Sequence, residues 1–182
     1  DSGINAQNNP SDLRLTGTIS LAPNMSGTVR QIFFGVDQPG AAANNAGNIY
    51  ADGGIIDGAG GSGNPFIKAG AGTLFLTGTN TFSGSLSVSG GLVAINSMAD
   101  FGNTTNINLL GGGLAIWENS VNLTRNISMH AGNGYFDVLS GLTLTQDANS
   151  TLDGNSFLIK RGLGTMILNG NNAQSGLYLA DG

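Results

Sequence analysis

The chain has 182 residues, among them 31 Gly, 4 Pro and no Cys, and six basic against eleven acidic side chains give a net charge of -5. With 40% hydrophobic and only 9% charged residues it is no disordered tail, and its glycines keep no three-residue period, which excludes collagen. Disulfides and thiolate metal sites are excluded outright, the scattered basic side chains argue against nucleic acid as a partner, and no apolar stretch reaches the ~20 residues of a membrane-spanning helix.

Read from the N-terminus, residues 1–12 are polar and weakly patterned, so they are expected to be loosely held. The first strand-like alternation is Leu13 with Leu15. Residues 39–47 (PGAAANNAG) read as an extended loop. Residues 58–63 (GAGGSG) satisfy G-x-G-x-x-G, but Asn64-Pro65 and a strand follow where a phosphate-binding loop needs a helix. The same stretch lacks the G-G-x-G-x-D register of calcium-binding nonapeptides, so it is expected to be a turn. Beyond it, Leu74 with Leu76, Leu86 with Val88, Leu114 with Ile116, and Leu142 with Leu144 each set two apolar side chains on one strand face. Ser, Thr, Ala or Gly stand between most of these pairs. Breaks at 78–80, 83–84, 90–91, 111–113 and 132–134 separate the strands, and 22 Asn add to the turn-forming stock. No window of eleven or more residues carries helical spacing without a Gly inside it.

Residues 68–90 (KAGAGTLFLTGTNTFSGSLSVSG) return 92 residues later as residues 160–182 (KRGLGTMILNGNNAQSGLYLADG), with 10 identities in 23 ungapped positions. A recurring strand-and-turn unit cannot bury its apolar face alone, so copies and intervening coils must stack. The expected fold is all-β, a right-handed parallel β-helix forming one continuous segment over 1–182, cut from a longer solenoid. With about 20 residues per coil, the offset corresponds to about four or five coils. The repeat positions are Lys68, Gly70, Gly72, Thr73, Leu74, Leu76, Gly78, Asn80 and Gly84, answered by Lys160, Gly162, Gly164, Thr165, Leu168, Gly170, Asn172 and Gly176. The two lysines hold equal places before a Gly-x-Gly-Thr turn, where an amine bonds turn carbonyls. Phe75 and Ile167 fall between inward positions and so point outward. They would form a sticky surface ladder unless a loop such as residues 37–48 covers them. Tyr178 stands where the first copy has Leu86, which leaves the inward face of that strand open.

Chemistry has little to draw on. His130 is the only histidine; Asp137 and Ser140 are near it in sequence, but no nucleophile-elbow pattern surrounds them, and a turn or surface role is expected. Two acid pairs, Asp52 with Asp57 and Asp147 with Asp153, could serve a polysaccharide-cleaving site on a β-helix. Each pair lies beside Gly at a turn, where Asp ordinarily stabilises the backbone, and no Lys or Arg cluster accompanies it. No enzyme activity and no cofactor is expected. Sequons at Asn24, Asn103, Asn122, Asn126 and Asn149 are the chance product of an Asn-, Ser- and Thr-rich composition. Trp117, beside Glu118 and Asn119, is the one feature that points to carbohydrate contact, because an exposed indole stacks on a sugar face. Packing under a loop is the simpler reading.

Residues 68–84 and the divergent copy at 160–176 resemble the autotransporter-associated β-strand repeat, also called the passenger-associated transport repeat. Between them, Gly90 to Leu92, the Ala-Asp-Phe-Gly turn at 99–102 and Gly111 to Leu114 resemble the inter-repeat region of such passengers. The resemblance covers about residues 66–182 and implies a right-handed β-helical passenger on the surface of a Gram-negative bacterium. It further implies export by a translocator β-barrel of the same parent chain, and a repeat that assists secretion and folding. The parent would be an adhesin whose partners are a host cell, a matrix surface or a neighbouring bacterium. The alternative is a glycan- or matrix-binding module using Trp117 or Phe75, and a β-helix enzyme is the third.

Overall fold

The computed structural model describes residues 12–21, 33–34, 47–58 and 63–181. Residues 1–11, nearly all of the 39–47 loop, the middle of the 58–63 glycine run and Asn24 lie outside the described residues.

The chain is a parallel β-solenoid. Among the described residues, eight strands make a first sheet, in the order Leu13–Arg14, Ile49–Tyr50, Thr73–Phe75, Leu92–Ile95, Gly113–Ile116, Gly134–Val138, Phe157–Arg161 and Gly176–Leu179. Seven more, from Phe33–Phe34 through Phe66–Lys68, Leu86–Val88, Ile107–Leu109, Ile127–Met129 and Thr151–Gly154 to Asn171–Ala173, make a second sheet. The third face holds two small sheets, Ile19–Ser20 with Ile55–Ile56, and Val121–Leu123 with Thr143–Gln146 and Thr165–Leu168. All the pairings are parallel, because each coil lies on the one before it and the chain always passes first, third and second face in that order. A single turn of 3-10 helix, Met98–Phe101, stands on the third face.

Alternation dictates which side chains enter the core. On the first sheet, Ile49, Leu74, Val93, Leu114 and Phe136 stand in one inward line. Phe66, Leu86, Ile107, Ile127 and Leu152 form another on the second sheet. Each of these ten is buried, and together they belong to one continuous core. From Leu74 onward the coil length varies, from 19 residues between Leu74 and Val93 to 25 between Ile127 and Leu152. Extra residues are absorbed at corners, where the ladder does not constrain them.

This variation has a consequence that the repeat spacing conceals. Lys68 belongs to the second sheet, in line with Val88, Leu109, Met129 and Gly154. Lys160 belongs to the first sheet, in line with Phe136 and Leu179. The 92-residue offset is therefore four coils plus one face, and the copies sit a third of a turn out of phase. For the same reason Phe75 and Ile167 form no common ladder: Phe75 is on the first sheet and Ile167 on the third face. Nor is the ungapped alignment kept to its end. Lys68 to Val88 takes 20 residues whereas Lys160 to Leu179 takes 19, so Leu177 and Leu179 hold the inward register. Tyr178 then points outward beside Ile159, since a slip of one residue reverses the faces of a strand.

Candidate functional site

The repeat residues converge on a corner. Lys68 ends its strand pointing inward and is fully buried. Its Nζ donates to the carbonyls of Ala69 at 2.9 Å, Gly70 at 2.8 Å and, in the following coil, Gly90 at 3.0 Å. An ammonium carries three donors and no acceptor, and hydrogen bonds to a charged group each contribute about 1.5–3 kcal/mol. Gly70 turns the chain at φ +75°, and Gly91, at φ +59°, lies so close that a Cβ there would fall 2.2 Å from the Gly72 carbonyl oxygen. In the second copy the Lys160 amine, 7% exposed, donates to the carbonyl of Gly162, the counterpart of Gly70.

The other repeat positions serve the same corners. Thr73 and Thr165 open the next strand, Leu74 and Leu76 are buried, and Leu168 packs against the core from a half-buried position. Asn80 is buried at the third face. Its amide oxygen accepts from Ile55 N at 2.8 Å and its Nδ2 donates to Gly78 O at 3.0 Å. Its counterpart Asn172 stands inward on the second sheet and accepts from Gln146 Nε2 at 2.8 Å. Gly84 packs on Asn64 and Gly170 on Ser150, with no room for a Cβ at either, and Gly72, Gly78, Gly164 and Gly176 complete the pattern.

A second cluster lies on the outward side of the first sheet. Tyr50 and Phe75 stack with ring centroids 4.5 Å apart, and Trp117 meets Phe75 edge-on at 4.9 Å. Ala94 and Ala115 are the next residues in line after Phe75, and their small side chains let Trp117 reach back toward it. Trp117 and Phe75 are thus half-buried against each other. The Arg14 guanidinium lies 4.5 Å from the Tyr50 ring centre and donates to Asp52 at 2.8 Å, while Thr77 Oγ1 donates to the same carboxylate at 2.6 Å. Replacing Phe75 by alanine is expected to cost about 1–3 kcal/mol, less than a fully buried Phe, and to shift Trp117 fluorescence to the red. Urea denaturation read by that fluorescence checks both.

The Thr77 hydroxyl, and then Arg14, hold Asp52 below the ordinary carboxylate value of 3.8. A depressed carboxyl stabilises the fold above its unfolded value and loses that contribution as pH falls through its folded one. The tie between Arg14, Asp52 and Thr77 should therefore still hold at pH 3.8 and be released only as pH falls further, through the depressed value. Tyr50 ring resonances followed down through that range should move with the titration; resonances that do not respond would contradict it.

Each member of the acid pairs is engaged by a structural partner. Asp52 is held by Arg14 and Thr77, and Asp57 accepts from the Ser83 backbone N–H and, at 2.6 Å, from its hydroxyl. Asp147 closes a turn by accepting from Asn149 N at 2.8 Å, and Asp153 accepts from Ser128 Oγ at 2.8 Å. His130 is exposed beside Ala131, which has φ +56°. Asp137 and Ser140 share the region without a hydrogen bond to it among the described residues, and Asn103, Asn122, Asn126 and Asn149 are exposed. Among the described residues no group of three or more His, Cys, Asp or Glu could hold a metal ion.

One bond between coils escaped sequence reasoning. The Ala-Asp-Phe-Gly stretch is the 3-10 turn, with Phe101 buried and Gly102 closing it at φ +56°. Arg125, a whole coil later, donates to the Gly102 carbonyl at 2.6 Å. Asp100 holds the other end by accepting from Asn96 N at 2.6 Å and Ser97 N at 3.1 Å. An isolated arginine 23 residues away gives no sequence signal of such a bond.

Residues 66–95 and 158–180 match the passenger-associated-transport-repeat family. Over 122 residues, 61% of this chain, the sequence is 38% identical to the adhesin BmaC autotransporter of Brucella suis biovar 1 (strain 1330). The chain spans about 4% of the length of that relative. No solved structure matches.

Proposed function

We propose, for a chain that is a β-solenoid segment of an autotransporter passenger carrying two transport repeats, that its work is mechanical: it supports secretion and holds the parent's adhesive regions away from the cell. One observation carries this reading. Each repeat supplies a run of coil with an inward row and an amine-capped corner, and the Lys68 amine also bonds the coil that follows. Coils that form outside the outer membrane do not pass back through a pore, so successive docking biases the chain outward. The parent's translocator barrel is the partner this requires, and the bacterial surface is the place.

Adhesion enters through the relative named an adhesin, and here it belongs to the parent, to a host-cell or matrix surface or to a neighbouring cell. The test is to delete residues 68–90 from the full parent and to measure surface-displayed protein and adhesion per displayed molecule. Display is expected to fall several-fold at unchanged transcript. Normal display with lost adhesion would replace the mechanical role by a binding one.

A further inference from the structure

The position that Lys68 occupies on the second sheet is filled in the next three coils by Val88, Leu109 and Met129. Those coils turn from the second sheet to the first without an amine, and each has a glycine at positive φ two or three residues past that position: Gly91, Gly111 and Gly132, as Lys68 has Gly70. The corner's shape therefore does not require a lysine. What the amine adds is the bond that leaves its own coil. Ala69 and Gly70 belong to the corner Lys68 opens, but Gly90 belongs to the following one, 22 residues on. Until that coil is in place one of the three ammonium donors lacks this partner; when it docks, the amine is buried and bonded in the same step.

The second copy carries its amine to another corner, where the bond it makes, to Gly162, stays within its own coil. Ala180 N donates to Lys160 O at 3.0 Å just as Ser89 N donates to Lys68 O at 2.8 Å, which puts Asp181 where Gly90 stands. Lys160 nevertheless opens the corner from the first sheet to the third face, whereas Lys68 opens the one from the second sheet to the first.

We infer that Lys68 is a coil-coupling lock: its amine makes the corner of its own coil and that of the next open and close as one unit. The lock stands on corner geometry alone, so it can fail while the secretion role survives, and the reverse.

The experiment is amide hydrogen exchange on the 182-residue chain carrying Lys68→Met, a residue type that the same line already accepts at Met129. The amides of Ser89, Leu76 and Ala51, which bond across the coils on either side of the lock, should exchange about tenfold faster, the scale of one charge-assisted hydrogen bond. The amides of Asp147 and Gly164, several coils away, should keep their rates. Equal acceleration in all coils, or no acceleration near the lock, would overturn the inference. Should Lys68→Met fail to fold, Lys68→Leu decides through the same amides, since Leu109 fills that line two coils on.

Discussion

Alanine in place of Gly91 is expected to destabilise the chain by about 3–5 kcal/mol, an unusually large effect for one methyl group. Two costs add. At φ +59° the backbone is left-handed, which costs a residue with a Cβ about 1–2 kcal/mol. The new carbon would also lie 2.2 Å from the Gly72 carbonyl oxygen, 2.6 Å from that of Gly70 and 2.7 Å from the Lys68 amine. Two of these are backbone atoms of the preceding coil, and they can retreat only if the coils separate. Gly141 supplies the control, because it has φ +80° with nothing within 4 Å of its missing Cβ. Gly141→Ala should show only the conformational cost. Urea denaturation of the two variants side by side separates close approach from backbone strain, and equal losses would mean that the corner has more room than its geometry shows.

Phe136→Ala is expected to cost about 3–5 kcal/mol by a different route. The ring is fully buried on the inward line of the first sheet, between Leu114 in the coil before and Lys160 in the coil after. A cavity there removes contacts from three coils at once, and the parallel ladders on both sides limit how far the backbone can collapse into it. In an array whose units touch only their neighbours, the loss should be felt first in the adjoining coils. Exchange should thus accelerate at Leu139 N and Gly113 N before it does at Ala51 N. A loss under 1 kcal/mol would show that the core is loosely packed at its centre.

Inward and outward positions were legible in the sequence, because a strand with one buried face alternates with period two. Leu74 with Leu76, Leu86 with Val88, and Leu114 with Ile116 are buried as their spacing requires. Phase was not legible. Lys68 and Lys160 read as equivalents, yet which face each occupies depends on residues absorbed at corners between them, and no strand records that sum. The one-residue difference that turns Tyr178 outward is hidden in the same way. Contacts across coils were out of reach for a related reason: Arg14 meets Asp52 38 residues on, and Phe75 meets Trp117 only because Ala94 and Ala115 are small. The lysine corner was more accessible, since Lys68 and Lys160 recur before a Gly-x-Gly-Thr turn and an amine in that place has carbonyls within reach.

The mechanical role makes display depend on the stability of the coils themselves. The most direct test is to place Gly141→Ala, Phe75→Ala, Phe136→Ala and Gly91→Ala in the full parent and to plot displayed protein per cell against the stability of each variant chain. Display should fall in the order of stability lost, least for Gly141→Ala and most for Phe136→Ala and Gly91→Ala. Undiminished display of a variant whose coils no longer fold would contradict a secretion-supporting role for this solenoid.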